Sequence, residues 1–425
     1  MLSRVLRAAG IDAVYGDPMD GVDVVVTGEL EAGTLAAAHR RVHGHPAAVH
    51  DSSGELVVGN PTGFDALDVT ADDLLDLVPL LASGSAWLRL AIDPEAPVPD
   101  VAPPRPAPVD RWREPEDAVV AAVQAADRPV LLAGPGVVTA GAVPGLHALA
   151  AAASLGVLNT WGAKGVFDWR SRHHLATAGL QQRDFALAGL GDADLIVATG
   201  VDPEEAPPAL WRDLAPVVEL PPGALDSAAG PCGRPPADIP MPPLRSELAR
   251  VTQDGWAATT TPLAPSLVTR HYGQVLGSGG LVAADPGVPG YWVGRTFATT
   301  ELGGVHVPAT TAGSSGFAAA CAVVARLRAP NRPVLAVVDG SGPGAGDQMT
   351  AAVLGAAWRL GVAVPLAVWD PGGRALTSDE HLALLQAAVV AEVPEPIVVA
   401  TDPAQLDRMV DVAGEVVAWG GLTAL

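Results

Sequence analysis

Short apolar runs, each closed by a small or acidic residue, alternate along most of the chain with longer stretches of helical spacing. Residues 129–133, 157–160 and 194–200 read as strands in one block, and residues 281–284, 333–338 and 364–369 in a later one. These runs are continuously apolar rather than alternating, the pattern of strands covered on both faces of a parallel sheet. Helices are predicted between them. One is opened by Pro115 in its first turn, one ends near Leu155 before Gly156, and others cover 318–327 and 349–360. A last one starts at Asp402-Pro403, an N-cap followed by proline at the first helical position. The alternation predicts α/β domains built on parallel sheets. Ligands of such sheets bind beyond the carboxyl ends of the strands, where Asp285, Asp339 and Asp370 each close a run.

Two proline-dense stretches interrupt the pattern. The expected organisation is a first domain over 1–93, a semi-rigid linker over 94–114, a second domain over 115–219, a second linker over 220–264 and a third domain over 265–425. One short helix is expected inside the second linker, at 244–251. A chain of 425 residues is long enough for two or three domains.

Composition narrows the function classes. Hydrophobic residues make up 49% of the chain and aromatic ones only 4%, so the cores are built from small side chains. The net charge of −22 opposes docking on phosphate backbones or anionic membranes, so neither nucleic acid nor membrane is an expected partner. Lys164 is the sole lysine. Cys232 and Cys321 fit neither a disulfide framework nor a metal-ligand spacing. With no signal-peptide pattern and no apolar run of membrane-spanning length, a reducing cytoplasm is the expected location.

Several motifs are read as structural. Gly134-x-Gly136 with Gly141 has no acidic residue at the spacing of a dinucleotide site, so it is taken as a turn. His43, His45, His173 and His174 lack a shared ligand spacing and are assigned to solvated loops. Gly313-Ser314-Ser315-Gly316 is not a nucleophile elbow. Trp161, Trp169, Trp292, Trp358 and Trp369 are expected in cores and interfaces.

Longer stretches carry a resemblance. In the third segment these are 311–317, the run 329–341 through Val338-Asp339-Gly340-Ser341, the helix and strand from Met349 to Asp370, and Asp285-x-Gly287 with Trp292. In the second they are 128–137, Thr160-Trp161-Gly162-Ala163-Lys164-Gly165 and 193–200. In the first they are 9–18 and 41–46. In this order they resemble the thiamine-diphosphate (ThDP) enzymes of the acetolactate synthase and 2-keto acid decarboxylase type, as a divergent and shortened member. The resemblance implies three Rossmann-like domains: a shortened pyrimidine-binding domain, a central domain and a diphosphate-binding domain. It also implies ThDP and Mg²⁺ as cofactors, a 2-keto acid substrate, lyase or transferase chemistry, and a homodimer or homotetramer whose site lies between two chains. A flavin is not expected.

Carried over residue by residue, the resemblance makes Glu29 the glutamate that bonds the pyrimidine N1′. It puts Ser314, Ser315, Asp339, Gly340 and Ser341 at the cofactor, and Asp339, Asp370 and the Gly373 carbonyl at the metal, a hard ion that demands oxygen. The sequence departs from the family pattern at four points. Pro371 stands where the family has its second asparagine, and Ser315 where it has a bulky apolar buttress. Val338 replaces the first glycine of the Gly-Asp-Gly motif, and 342–346 lengthen the following turn. Two functions therefore stay open: a ThDP- and Mg²⁺-dependent enzyme, and a non-catalytic pseudoenzyme or partner subunit that keeps the fold. A nicotinamide oxidoreductase built on the second segment is a distant third.

Overall fold

A computed structural model describes residues 6, 11, 13–18, 24–52, 56–58, 67–69, 88–90, 117–309, 314–340 and 348–421. The stretch 94–114, Ser341, the 342–346 turn and the side chain of Glu29 lie outside the described residues.

Three sheets organise the chain. The first holds β1 (Val14–Gly16), β2 (Val24–Val26), β3 (Ala48–His50), β4 (Leu56–Val58), β5 (Leu67–Val69) and β6 (Leu88–Leu90), in the order β2-β1-β3-β4-β6-β5. It is mixed, because β4 runs antiparallel to both β3 and β6. The second holds β7 (Pro129–Ala133), β8 (Gly156–Thr160), β9 (His174–Ala178), β10 (Leu195–Thr199) and β11 (Val217–Glu219), in the order β11-β10-β7-β8-β9. The third holds β12 (Leu281–Ala284), β13 (Val305–His306), β14 (Val334–Asp339), β15 (Leu366–Arg374) and β16 (Ile397–Val399), in the order β13-β12-β14-β15-β16. Every pairing in these two sheets is parallel. The first and third sheets share the order of their first four strands, and each of the parallel sheets is doubly wound as the apolar runs predict.

The strands form where the sequence is continuously apolar because both faces are covered. Val334 to Val338 are buried without exception, as are Leu195 to Thr199, and each fully buried Leu or Val stabilises the fold by about 1.5–3 kcal/mol. β15 runs further than its apolar part. Trp369 and Arg374 both pair with Val399, so Asp370-Pro371-Gly372-Gly373 is extruded as a bulge instead of ending the strand. Proline has no N–H for a ladder and glycine bends easily, so both suit a bulge.

The 220–264 segment is folded to a larger extent than a linker. Helices Leu225–Ala229 and Pro243–Ala257 occupy it, and Leu225, Cys232, Leu244 and Val251 are fully buried. The prolines separate these helices, and Pro243 opens the second with its backbone angle already set.

The helix Glu29–His43 joins the first domain to the third. Gly28 precedes it, and the Gly28 N–H donates to Glu31 Oε1 at 2.7 Å. Gly44 ends it in the left-handed region at φ 72°. Its buried Ala32, Leu35 and Ala36 lie at helical spacing in one cluster with the helix Phe317–Arg328, whose Ala318 to Ala325 are all buried, while buried His39 bonds Tyr15 at 2.9 Å. Small side chains on both helices permit close approach. Arg359 Nη2 donates to Glu31 Oε1 at 2.6 Å, and Thr34 Oγ1 to Met349 Sδ at 3.3 Å. The first-domain helix is therefore seated on the third domain of its own chain.

A buried polar network fastens the second domain to the third. Arg295 pairs with Asp184 at 2.7 Å, with both side chains fully buried. Tyr291 donates to Gln181 Oε1 at 2.8 Å, and Gln181 Nε2 donates to the carbonyls of Met409 and Gly414. Trp161, Trp292 and Trp369 lie in the core as expected. Trp169 and Trp358 do not: Trp358 is 70% exposed, because Thr350, Val353 and Ala357 take the inward face of its helix. His173 and His174 are not loop residues fully open to solvent. Both are half-buried, His173 bonds the Leu155 carbonyl, and His174 opens β9.

Candidate active site

Asp339 closes β14, and its register partner on β15 is Trp369. The next two residues, Gly340 and Asp370, therefore emerge side by side at the carboxyl edge of the third sheet. The Gly340 N–H donates to the Trp369 carbonyl at 2.7 Å, and a Cβ on Gly340 would lie 2.9 Å from Asp370 Cβ. A side chain at 340 would separate the two acidic residues. Asp370 Oδ1 accepts the Gly372 N–H at 2.8 Å, a tight turn inside the bulge. A Cβ on Gly373 would lie 2.9 Å from the Asp370 carbonyl oxygen.

A third strand end meets the same edge. Gly287, three residues beyond β12, has φ 101°, and a Cβ there would lie 2.7 Å from Asp339 Oδ2. Asp285 is buried and its Oδ1 accepts the Ala318 N–H at 2.8 Å, which ties the strand end to the start of the helix Phe317–Arg328. Buried Ser314 and exposed Ser315 lie just before that helix. Gly316 between them and the helix is left-handed at φ 70°, and a Cβ there would meet Met349 Cγ at 2.8 Å.

Of the residues singled out from sequence, Asp339, Gly340, Asp370 and Gly373 thus share one corner of the edge. Ser314 and Ser315 connect to it through Asp285 and Gly287. Glu29 is the first residue of the helix seated on Met349 and Arg359. Two carboxylates beside backbone carbonyls form an all-oxygen donor set, which suits a hard divalent cation. No group of three His, Cys, Asp or Glu side chains able to hold a metal is found among the described residues. At the other end of the proposed cofactor, the exposed Ser315 hydroxymethyl is too short to buttress two rings.

A second polar centre, not anticipated from sequence, lies where the three domains meet. Glu205 is buried and accepts from Thr160 Oγ1 at 2.9 Å and from the Gly162 N–H. Arg41, from the first-domain helix, donates to the Gly162 carbonyl. Burial pushes the Glu205 carboxyl up to about 8, against the opposing pull of its hydrogen bonds and of Arg41. Burial also lowers the Arg41 guanidinium. Glu205 follows an acidic neighbour in a Pro-rich loop, so nothing in its local pattern marks it as buried. Lys164, signalled only by being the sole lysine, is buried nearby in the chain, one turn beyond β8.

A cavity of about 630 Å³ opens at the carboxyl edge of the second sheet, lined by Thr199, Gly200, Trp211, Arg212 and Glu219. It lies on a different sheet from the carboxylate pair. The Gly134 and Gly136 N–H groups donate to the carbonyls of Thr199 and Gly200, and Arg212 is paired with Glu219. The donors of this turn are thus engaged within the protein, in keeping with a structural turn.

Comparisons with known proteins agree with this architecture. Residues 117–218 match the family model described as thiamine pyrophosphate enzyme, central domain. An acetolactate synthase of Mycobacterium avium is 27% identical over 250 residues, which cover 52% of this chain and 40% of that relative. The chain thus matches about two fifths of the relative's length. A crystal structure from Mycobacterium smegmatis, described as a thiamin diphosphate-dependent enzyme, superimposes with a TM-score of 0.67 at 15% identity, covering 94% of this chain and 98% of the other.

Proposed function

We propose, for a chain that belongs to the thiamine-diphosphate enzyme superfamily, that the carboxyl edge of the third sheet binds ThDP through a divalent cation and serves 2-keto acid chemistry of the acetolactate synthase or decarboxylase kind. The observation that supports this reading is that Asp339 and Asp370 close adjacent strand ends, with Gly340 packed against Asp370. When bound, ThDP supplies an electron sink for the charge left as CO₂ departs a 2-keto acid.

The chain's own residues take the remaining roles. Asp339 and Asp370 offset the charge of Mg²⁺, with the Gly373 carbonyl as a further oxygen. Gly340 and Ser341 let the backbone approach the diphosphate. Glu29 holds a proton at the pyrimidine N1′. Ser314 and Ser315 border the cofactor at the helix start. The seating of the 29–43 helix on its own third domain supports delivery of Glu29 within one chain.

A second reading is favoured by specific observations. Pro371 offers no side-chain oxygen, Asp370 Oδ1 is already engaged by Gly372, and Ser315 leaves the rings unsupported. These fit a pseudoenzyme or partner subunit that keeps the fold. Isothermal titration with ThDP and Mg²⁺ separates the readings. Saturable heat that needs both is expected for the binding protein, and its absence up to millimolar cofactor eliminates it. Release of CO₂ from pyruvate by the loaded protein then distinguishes an enzyme from a binder.

A further inference from the structure

Lys164 has surroundings that none of the roles above use. It follows the turn Trp161–Ala163 at the carboxyl end of β8, is 8% exposed, and donates its backbone N–H to the Trp161 carbonyl at 3.0 Å. No carboxylate or hydrogen-bond acceptor holds its Nζ among the described residues. The acidic groups of this region are engaged elsewhere: Asp184 by Arg295, Asp168 by Arg170, and Glu205 by Thr160 and the Gly162 N–H.

The charged group that acts on Lys164 is the Arg295 guanidinium, from the helix Val288–Thr296, and Lys164 in turn disfavours charge on His174 of β9. Arg245 lies beyond His174, with its guanidinium on the carbonyls of His174 and Trp169. The His174 ring bonds Asn159 through Nε2 at 3.1 Å, and its Nδ1 has no partner among the described residues. A buried ammonium without a counter-ion, beside a permanent guanidinium, is disfavoured against the neutral amine. Burial first, and Arg295 second, bring the amine down to about 7. A desolvated lysine next to another cation is a recognised way to activate an amine nucleophile.

We propose that Lys164 is a nucleophilic amine that condenses through Nζ with small carbonyl compounds, aldehydes or 2-keto acids. The Nζ lone pair attacks the carbonyl carbon and a C–N bond forms as the C=O π pair moves to oxygen. That oxygen takes a proton from solvent, and the carbinolamine then loses it as water. One amine and one carbonyl thus give one imine and one water, with no oxidant or reductant. The inference stands on the surroundings of Lys164 and does not require the cofactor reading.

The experiment treats the full-length protein with acetaldehyde, and separately with pyruvate, in the presence of sodium cyanoborohydride, which reduces an imine to a stable secondary amine. Peptide mass spectrometry reads the site. Labelling at Lys164 is expected at neutral pH, on the order of tenfold or more faster than for the ε-amine of N-acetyl-lysine, because far more of the amine is neutral there. Acetaldehyde alone reacting supports the carbonyl proposal and removes the keto-acid arm. Two results overturn it: labelling of the N-terminal amine while Lys164 stays unmodified unless urea is added, or labelling of Lys164 at the rate of the free amino acid. Lys164→Met, a neutral replacement of similar length, serves as the folded control and loses only that peptide adduct.

Discussion

Asp339 and Asp370 close adjacent strand ends, and Gly340, the residue after Asp339, packs so near that any Cβ on it would come 2.9 Å from Asp370 Cβ. If the pair holds a cation, its charge is the quantity to remove. Asp370→Asn keeps an oxygen to accept the Gly372 N–H, so the bulge survives while one charge is lost. Asp339→Asn removes the other. Each variant is expected to weaken Mg²⁺-dependent ThDP binding by roughly tenfold or more, with little change in thermal midpoint. Titration calorimetry and thermal unfolding together check this. Equal affinity in wild type and both variants would remove the metal from this corner.

Gly287 supports the same corner from the neighbouring strand. Its φ of 101° is one that side chains rarely adopt, and a Cβ would press on Asp339 Oδ2. Gly287→Ala is therefore expected to cost about 1–3 kcal/mol in backbone strain and to turn the Asp339 carboxylate aside. Urea unfolding should report the first effect and cation titration the second.

The buried pair Arg295–Asp184 joins two domains and has no exposure on either side chain. Removing one member leaves the other's charge unpaired in the interior, so Arg295→Met is expected to destabilise by about 3–5 kcal/mol. The double variant Arg295→Met with Asp184→Leu should recover much of that loss, although Gln181 and the Thr177 carbonyl would still lose a partner. Chemical denaturation of Arg295→Met, Asp184→Leu and the double variant measures the coupling. Additive losses would mean that the pair contributes through packing alone.

The sequence shows these features unevenly, for physical reasons. β7, β10 and β14 are legible because unbroken β-branched and leucine runs leave no other way to cover two faces. β13 is two residues long and carries no such signal. The strand end was visible in Asp370 as the acidic residue closing an apolar run, but the continuation to Arg374 depends on pairing with Val399, a long-range contact. Asp339 and Asp370 were identifiable because strand-terminal acids sit where α/β sheets bind ligands. Arg295 and Asp184 are 111 residues apart in sequence, and only the packing of two domains makes them neighbours. The lone Arg295 in an otherwise uncharged helix was the one available hint.

Glu205 gives the chain a predictable pH dependence. Its carboxyl ionises at about 8 in the folded protein and near the ordinary 4.5 when unfolded. The unfolded chain therefore releases this proton first as pH rises. Stability contributed by the protonated group is complete below about 4.5 and declines as pH climbs towards about 8. Arg41 limits the loss, because it faces the carboxylate as that forms. Glu205→Gln keeps an oxygen to accept the Gly162 N–H and sets an amide donor against the Thr160 hydroxyl, as the protonated acid can, without a titrating proton. The difference in unfolding free energy between variant and wild type should therefore widen in favour of the variant from acid to neutral pH and level off above about 8. Urea unfolding at a series of pH values tests this difference directly. A flat difference would mean that Glu205 ionises in the folded protein as an ordinary carboxylate, with Arg41 fully compensating its burial.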